Sequence, residues 1–370
     1  MTRPLVNSFE KCVMKTFGLI RFVMVGAAMV FVPTEAKSVD TAPMAAKEAT
    51  AAKISTPASP EEPTLEKLSL AKAAESLDRV SHAWIQQHKC GSCHTTFPYL
   101  MSRAVLKDTT PTAMEEVRAF FLNRIRIWET DREKIEHFIP EVVGTAASLA
   151  IHDAQTTGKL HPLTRQALDR IWTLQGKDGA WDWTKCRWQP FEVDDYYGAL
   201  LVAVGVGLAP DGYALGDSAK SGLEKLRAYF RANAPPSLHH QAWLLWASTK
   251  LDGLMTEEKK RTTIDELRAL QRRDGGWSMP SLGKDWVGRK GEKSDPNAPS
   301  DGYGTGLSVY VLRQAGVAAT DAAIQRGRAW LATNQRASGR WFTRSMNGVA
   351  EHYISDTATA FAVLALQACE

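Results

Sequence analysis

The chain has 370 residues, 44% hydrophobic and 23% charged, which is ordinary globular composition. A net charge of +4 from 45 basic and 41 acidic side chains gives no field that points to nucleic acid as a partner. The first sixty or so residues lack the pattern of folded protein, leaving about 300 for one large domain.

Residues 1–36 read as an export signal. Lys11, Lys15 and Arg21 precede the apolar run Phe22 to Val32, and Thr34-Glu35-Ala36 offers a small-x-small cleavage site, with Met14 as a more compact start than Met1. The run is short for a membrane span, and export would place the protein in the periplasm or outside the cell. Residues 37–66, rich in Ala, Lys, Thr, Ser and Pro, read as a disordered linker, and 67–370 as the folded domain. An oxidising compartment favours disulfides and covalent cofactor attachment for the five cysteines, of which Cys12 leaves with the signal.

The folded part opens with a helix expected over Ser76 to Lys89, followed by Cys90-Gly91-Ser92-Cys93-His94. This is the spacing of covalent haem c attachment: two thiols add across the porphyrin vinyl groups, and the adjacent His94 is the iron ligand. Met101, seven residues on, is a candidate second axial ligand. A Cys90–Cys93 disulfide or redox dithiol needs the cysteines alone, so both readings stand at this point.

A repeat follows. Arg326 to Trp341 has the form basic-Gly-x-x-aromatic-aliphatic, then Gln335, Gly339 and Trp341. The same offsets recur in Ile171, Gln175, Gly179 and Trp181, and in Leu267, Gln271, Gly275 and Trp277. The gap between Trp181 and Trp277 leaves room for a degenerate copy, Gly222 to Ser248, whose turn is Asn233-Ala234-Pro235-Pro236. Between these amphipathic segments lie runs that are apolar nearly all round: Gly198 to Leu208, Ala242 to Ala247, Thr305 to Ala315 and Thr357 to Ala368. A helix with no polar face is buried on all sides. The alternation predicts an all-α protein of outer and inner helices in concentric layers, with inner helices beginning near Asp195, Leu238, Tyr303 and Asp356.

The Gln-Trp motif resembles the QW repeat of squalene-hopene and oxidosqualene cyclases, whose α/α toroid is shared with protein prenyltransferase β-subunits. The resemblance covers residues 70–370, in one domain where those cyclases carry two. It implies an isomerase acting on an isoprenoid, a hydrophobic small molecule, with peripheral membrane contact as a further expectation. Glu192-Val193-Asp194-Asp195 looks like the DxDD motif of that family. Carried over, Asp194 would protonate an alkene while Asp195 and Glu192 tune it. The same residues also suit a helix N-cap, which predicts the opposite pKa shift for Asp194. Trp183, Trp188, Phe191, Tyr196, Tyr197, Trp243, Trp246, Tyr303, Tyr310 and Phe361 either line a cation-stabilising path or fill the centre. The prenyltransferase alternative offers only Asp301 and His352 toward a zinc site, without a cysteine in register. The remaining alternatives are an exported haem c protein and a non-catalytic ligand-binding toroid.

Overall fold

The computed structural model describes residues 58–107, 111–347 and 353–370; the expected signal (1–36), residues 37–57 of the expected linker and His352 lie outside the described residues. The described chain is all-α, with no β-strand and only isolated bridges. The helices are α1 (Leu70–His88), α2 (Thr96–Ser102), α3 (Pro111–Asp131), α4 (Phe138–Thr156), α5 (Pro162–Thr173), α6 (Asp195–Leu208) and α7 (Asp217–Ala232). They continue as α8 (Leu238–Ser248), α9 (Glu257–Ala269), α10 (Met279–Leu282), α11 (Gly302–Gln314), α12 (Ala322–Thr333) and α13 (Tyr353–Gln367). Among the described residues no helix is long and apolar enough to cross a membrane.

Two kinds of helix alternate, as the hydrophobic pattern predicts. In α6 every residue from Tyr196 to Val206 is buried, whereas α9 buries only Thr263 and Leu267 of its thirteen. The apolar kind starts where a short polar side chain captures an amide of the first turn: Asp194 accepts from Tyr197 N, Ser237 from His240 N and Asp301 from Gly304 N. Starts at Asp195, Leu238 and Gly302 match the expected ones to within a residue. The last helix begins at Tyr353, so Asp356 lies within its first turn and is not its cap. In packing order, α4 lies against α2 and α6, α8 against α6 and α11, and α13 against both α11 and α2.

The Gln-Trp turns share one geometry. Gln175, Gln271 and Gln335 each donate Nε2 to the carbonyl of the glycine four residues on, at 2.9 Å. The same amide reaches beyond its own turn, bonding Gly222 O of α7 at 3.0 Å, Ala323 O of α12 at 2.8 Å and, from Gln335, Ser69 O at 2.8 Å just before α1. Trp181, Trp277 and Trp341 donate their indole N–H to the carbonyls of Ile171, Leu267 and Leu331, 2.6–2.9 Å away. Each of these Trp side chains is at most 1% exposed, and truncating one to Ala costs about 3–5 kcal/mol. The glycines sit at φ 98°, 91° and 88°, and a Cβ at Gly339 would come within 2.1 Å of Lys72 O. Only glycine allows both the left-handed turn and that approach.

Two expectations change. Residues 62–65, assigned to the linker, are tied down: Leu65 N donates to Gln335 O and Ala337 N to Pro63 O, both at 2.8 Å, and Arg336 holds Glu62 O. Backbone that lies against a turn and satisfies its polar groups is ordered despite a linker-like composition. Helices α2, α3 and α4 carry no copy of the Gln-Trp motif and were not anticipated, although α4 is buried almost throughout from Phe138 to Asp153.

Candidate functional site

The acidic segment before α6 does not act as one carboxylate cluster, because its three members face three different partners. Asp194 Oδ1 accepts the amide of Tyr197 at 3.0 Å and lies 3.3 Å from His240 Nε2. Burial by itself would raise its pKa, but His240 and the amides of Tyr197 and Tyr196 outweigh that and hold it below the usual value. Asp194 is therefore an ionised helix cap, which corrects its assignment as proton donor: a carboxylate stabilised in its charged form cannot protonate an alkene. Asp195 accepts from Trp183 N at 2.9 Å and pairs with Lys185 Nζ at 2.6 Å. It does not tune Asp194.

Glu192, expected only to tune a neighbour, is the carboxyl of the segment whose pKa is raised. Its side chain is 17% exposed, and burial pushes the pKa up to about 6, while hydrogen bonds from the thiols of Cys186 and Cys93 and the charge of Arg289 pull the other way. A two-residue bridge positions it: Glu192 N donates to Trp188 O at 2.9 Å and Trp188 N returns to Glu192 O at 3.3 Å. His94 Nε2 lies 3.8 Å from Glu192 Oε1. The turn after α1 and the loop before α6 thus approach each other at His94 and Glu192. Cys186 carried no motif and was missed, although it shares a loop with Glu192.

Covalent haem requires both thiols and the imidazole to face one porphyrin-sized opening, and these residues do not fit it. His94 is packed between Trp84 and Trp188, with ring centroids 5.7 and 5.6 Å away, and its Nδ1 is held by Ser92 Oγ at 3.0 Å. Burial, with His88 nearby, drives its pKa down to about 3. Cys93 opens onto a central space also lined by Met101, Phe191, Tyr197, Trp243 and Phe361, of only about 10 Å³. That is room for roughly one water. Cys90 turns elsewhere, toward Trp84 and the Arg124–Glu141 pair. Burial raises the pKa of both thiols. Among the described residues, no three His, Cys, Asp or Glu side chains form a metal-holding group, so His94 as metal ligand has no partners of that kind.

Several of the aromatic residues expected at the centre pack against one another, whereas Tyr196 packs on Tyr229 and Phe230 of α7 and Trp188 lies half-buried against His94 and Arg289. Trp243 meets Trp246 at 5.2 Å, Trp246 meets Tyr310 at 5.0 Å, and Phe361 packs edge-on to Tyr303 at 5.5 Å. Asp301, once a candidate metal ligand, has its oxygens taken by Gly304 N, Met279 N and the Thr343 hydroxyl. Open space lies elsewhere: a cleft of about 490 Å³ is bounded by Met114, Glu115 and Arg118 of α3, His152 and Thr156 of α4, and the loop Thr157 to His161. His152 is 2% exposed, and burial brings its pKa down to about 4, so the ring is neutral. Arg118 Nη2 bonds Asp153 Oδ1 at 2.7 Å along the cleft wall. No protein-family model matches the chain, and no curated protein is significantly similar to it.

Proposed function

We propose that residues 67–370, with the segment 62–66 laid against them, close as an α/α toroid of the QW-repeat type that binds a small amphiphilic ligand and does not cyclise isoprenoids. Toroidal closure is supported by the succession of buried helices from α2 to α13, the packing of α13 back on α2, and the bonds from Gln335 to Ser69. The observation that carries the functional reading is the contrast in space. The centre offers about 10 Å³ and the cleft beside α3 about 490 Å³, against the ~300–1,000 Å³ of typical ligand sites. A polyene has no chamber at the axis, and Asp194 supplies no acid. The cleft combines the apolar surfaces of Met114 and Leu160 with Arg118, Lys159 and a neutral imidazole, a set suited to an aliphatic carboxylate despite Glu115 at its edge. In this reading the protein works outside the cytoplasm, and its CxxCH is a protein thiol motif that carries no haem.

Calorimetric titration of the full chain with decanoate, decanol and decylamine tests this. Decanoate binding that is lost in Leu160→Trp, with decylamine silent, is the expected result. No heat from any of the three, binding unchanged by Leu160→Trp, or a cyclised product from squalene would overturn the reading.

A further inference from the structure

Helix α4 is buried almost throughout, and His152 within it is 2% exposed. A neutral imidazole carries one N–H donor and one lone-pair acceptor, yet neither ring nitrogen of His152 has a hydrogen-bond partner among the described residues. Buried polar groups in native proteins are nearly all paired, so an orphan of this kind marks a place where a partner is missing. The neighbouring side chains do not supply one. Asp153 has both carboxylate oxygens taken, by Arg118 Nη2 at 2.7 Å and by His161 N at 2.8 Å. The Thr156 hydroxyl donates to the His152 carbonyl at 2.8 Å, which leaves the ring untouched. What His152 does border is open space, the cleft of about 490 Å³ that it lines together with Arg118. A guanidinium has several N–H donors, and half-buried Arg118 commits one of them to Asp153.

We propose that His152 reads the charge of the cleft's ligand: an anionic headgroup docks between His152 and Arg118, and the imidazole takes up one proton from solvent as the ligand binds. This rests on the cleft being the ligand site. Burial first and the Arg118 charge second keep the free imidazole neutral, with Asp153 pulling the other way, and its pKa is about 4. A bound anion adds a charge of the sign that favours imidazolium, and the new N–H gives that anion a charge-assisted bond. The proton returns to solvent when the ligand leaves. The other charged or titratable groups at the cleft are Glu115 of α3 and Lys159 and His161 of the loop. His161 Nδ1 accepts the amide of Leu163 at 3.2 Å as a helix cap. Ionisable side chains elsewhere on the elements packed against α4 have partners of their own: Tyr99 and Arg103 hold Asp78, Arg124 holds Glu141, Arg165 pairs with Asp211, Asp169 with Tyr213, Arg170 with Glu129 and Asp195 with Lys185. Because the complex holds the proton more tightly than the free protein, binding is strongest at low pH and weakens as pH rises through the range where the bound imidazole titrates.

Calorimetric titration of the full chain with decanesulfonate, whose charge is the same throughout, tests this at about pH 5.5 and about pH 7.5. Each pH unit over which one whole proton is taken up changes affinity about tenfold, so uptake across half of that interval makes binding about 10-fold tighter at the lower pH. Repeating the titration at the lower pH in two buffers of different ionisation enthalpy counts the protons directly and needs no variant. The expected result is proton uptake by the wild type that is lost in His152→Gln. His161→Gln and Glu115→Gln keep the ratio of affinities between the two pH values, whatever they do to affinity itself. Decanesulfonate binding without proton uptake, uptake that survives in His152→Gln, or uptake that disappears in His161→Gln would each overturn this inference and leave the cleft as the ligand site. No binding at either pH overturns both. If His152→Gln fails to fold, the wild-type proton count and His161→Gln still decide.

Discussion

Gln335→Leu is the substitution that most directly tests whether the last repeat is fastened to the first. The side chain is 1% exposed, and its amide makes bonds to Ser69 N at 2.7 Å, Ser69 O at 2.8 Å and Gly339 O at 2.9 Å. Leucine keeps the volume and removes all three. At about 1 kcal/mol net for each bond, the loss is roughly 3 kcal/mol. For a domain of about 300 residues that corresponds to a melting temperature lower by about 5 °C. Gln175→Leu, whose amide nitrogen bonds one glycine carbonyl and one carbonyl of α7, serves as an internal comparison at about 2 kcal/mol, and Gln271→Leu, which also loses the bond its Oε1 accepts from Arg326, at about 2–3 kcal/mol. Urea unfolding with linear extrapolation measures all three, and an unchanged m-value shows that the unfolded state is unaffected. If Gln335→Leu costs no more than about 0.5 kcal/mol, the ordinary cost of a surface change, while the comparisons behave as expected, the last turn does not clasp the first helix in solution. Closure would then fail.

Asp194→Ala should cost about 1–2 kcal/mol and Asp194→Asn distinctly less, because asparagine caps a helix nearly as well. Since the folded pKa of Asp194 is depressed, its charge-dependent stabilisation is complete above the unfolded value and fades as pH falls through the folded one. The wild type should therefore lead Asp194→Asn at pH 7 and lose that lead in acid; a lead that grows in acid would contradict the capping role. Glu192 has the opposite sign. Raised from 4.5 to about 6, it makes the wild type less stable as pH climbs through that interval, by about 2 kcal/mol in total. Glu192→Gln should flatten this part of the stability–pH curve, and an unchanged slope would show that the carboxyl is not desolvated in solution.

Much of the architecture is written locally. Helix type follows from hydrophobic period, so the apolar runs at 198–208 and 305–315 could be assigned to buried helices from sequence. The starts of α6, α8 and α11 follow from capping residues that act on amides three positions away. The Gln-Trp turn is equally local in its Gln–Gly bond, which is why its copies are visible without a structure. The helices α2 to α4 stayed hidden because they lack that turn, and residues 62–65 because their order comes from contact with residues more than 260 positions away.

Chemistry was the part that sequence spacing could not assign. Whether an aspartate is an acid or a cap depends on what surrounds it, and His240, which holds Asp194 ionised, belongs to another helix. Whether the centre is hollow depends on how Trp243, Tyr303 and Phe361 interlock across helices. The Cys-x-x-Cys-His spacing fixes which residues are neighbours in the chain but not where their side chains point. Tertiary packing placed Cys93 among Met101, Phe191 and Trp243 and brought His94 to Glu192, while Cys90 lies by Trp84. Hydrophobic period and capping act over a few residues and are legible in a string. Desolvation and proton affinity are set by groups that meet only when distant segments pack, and those the tertiary structure alone decides.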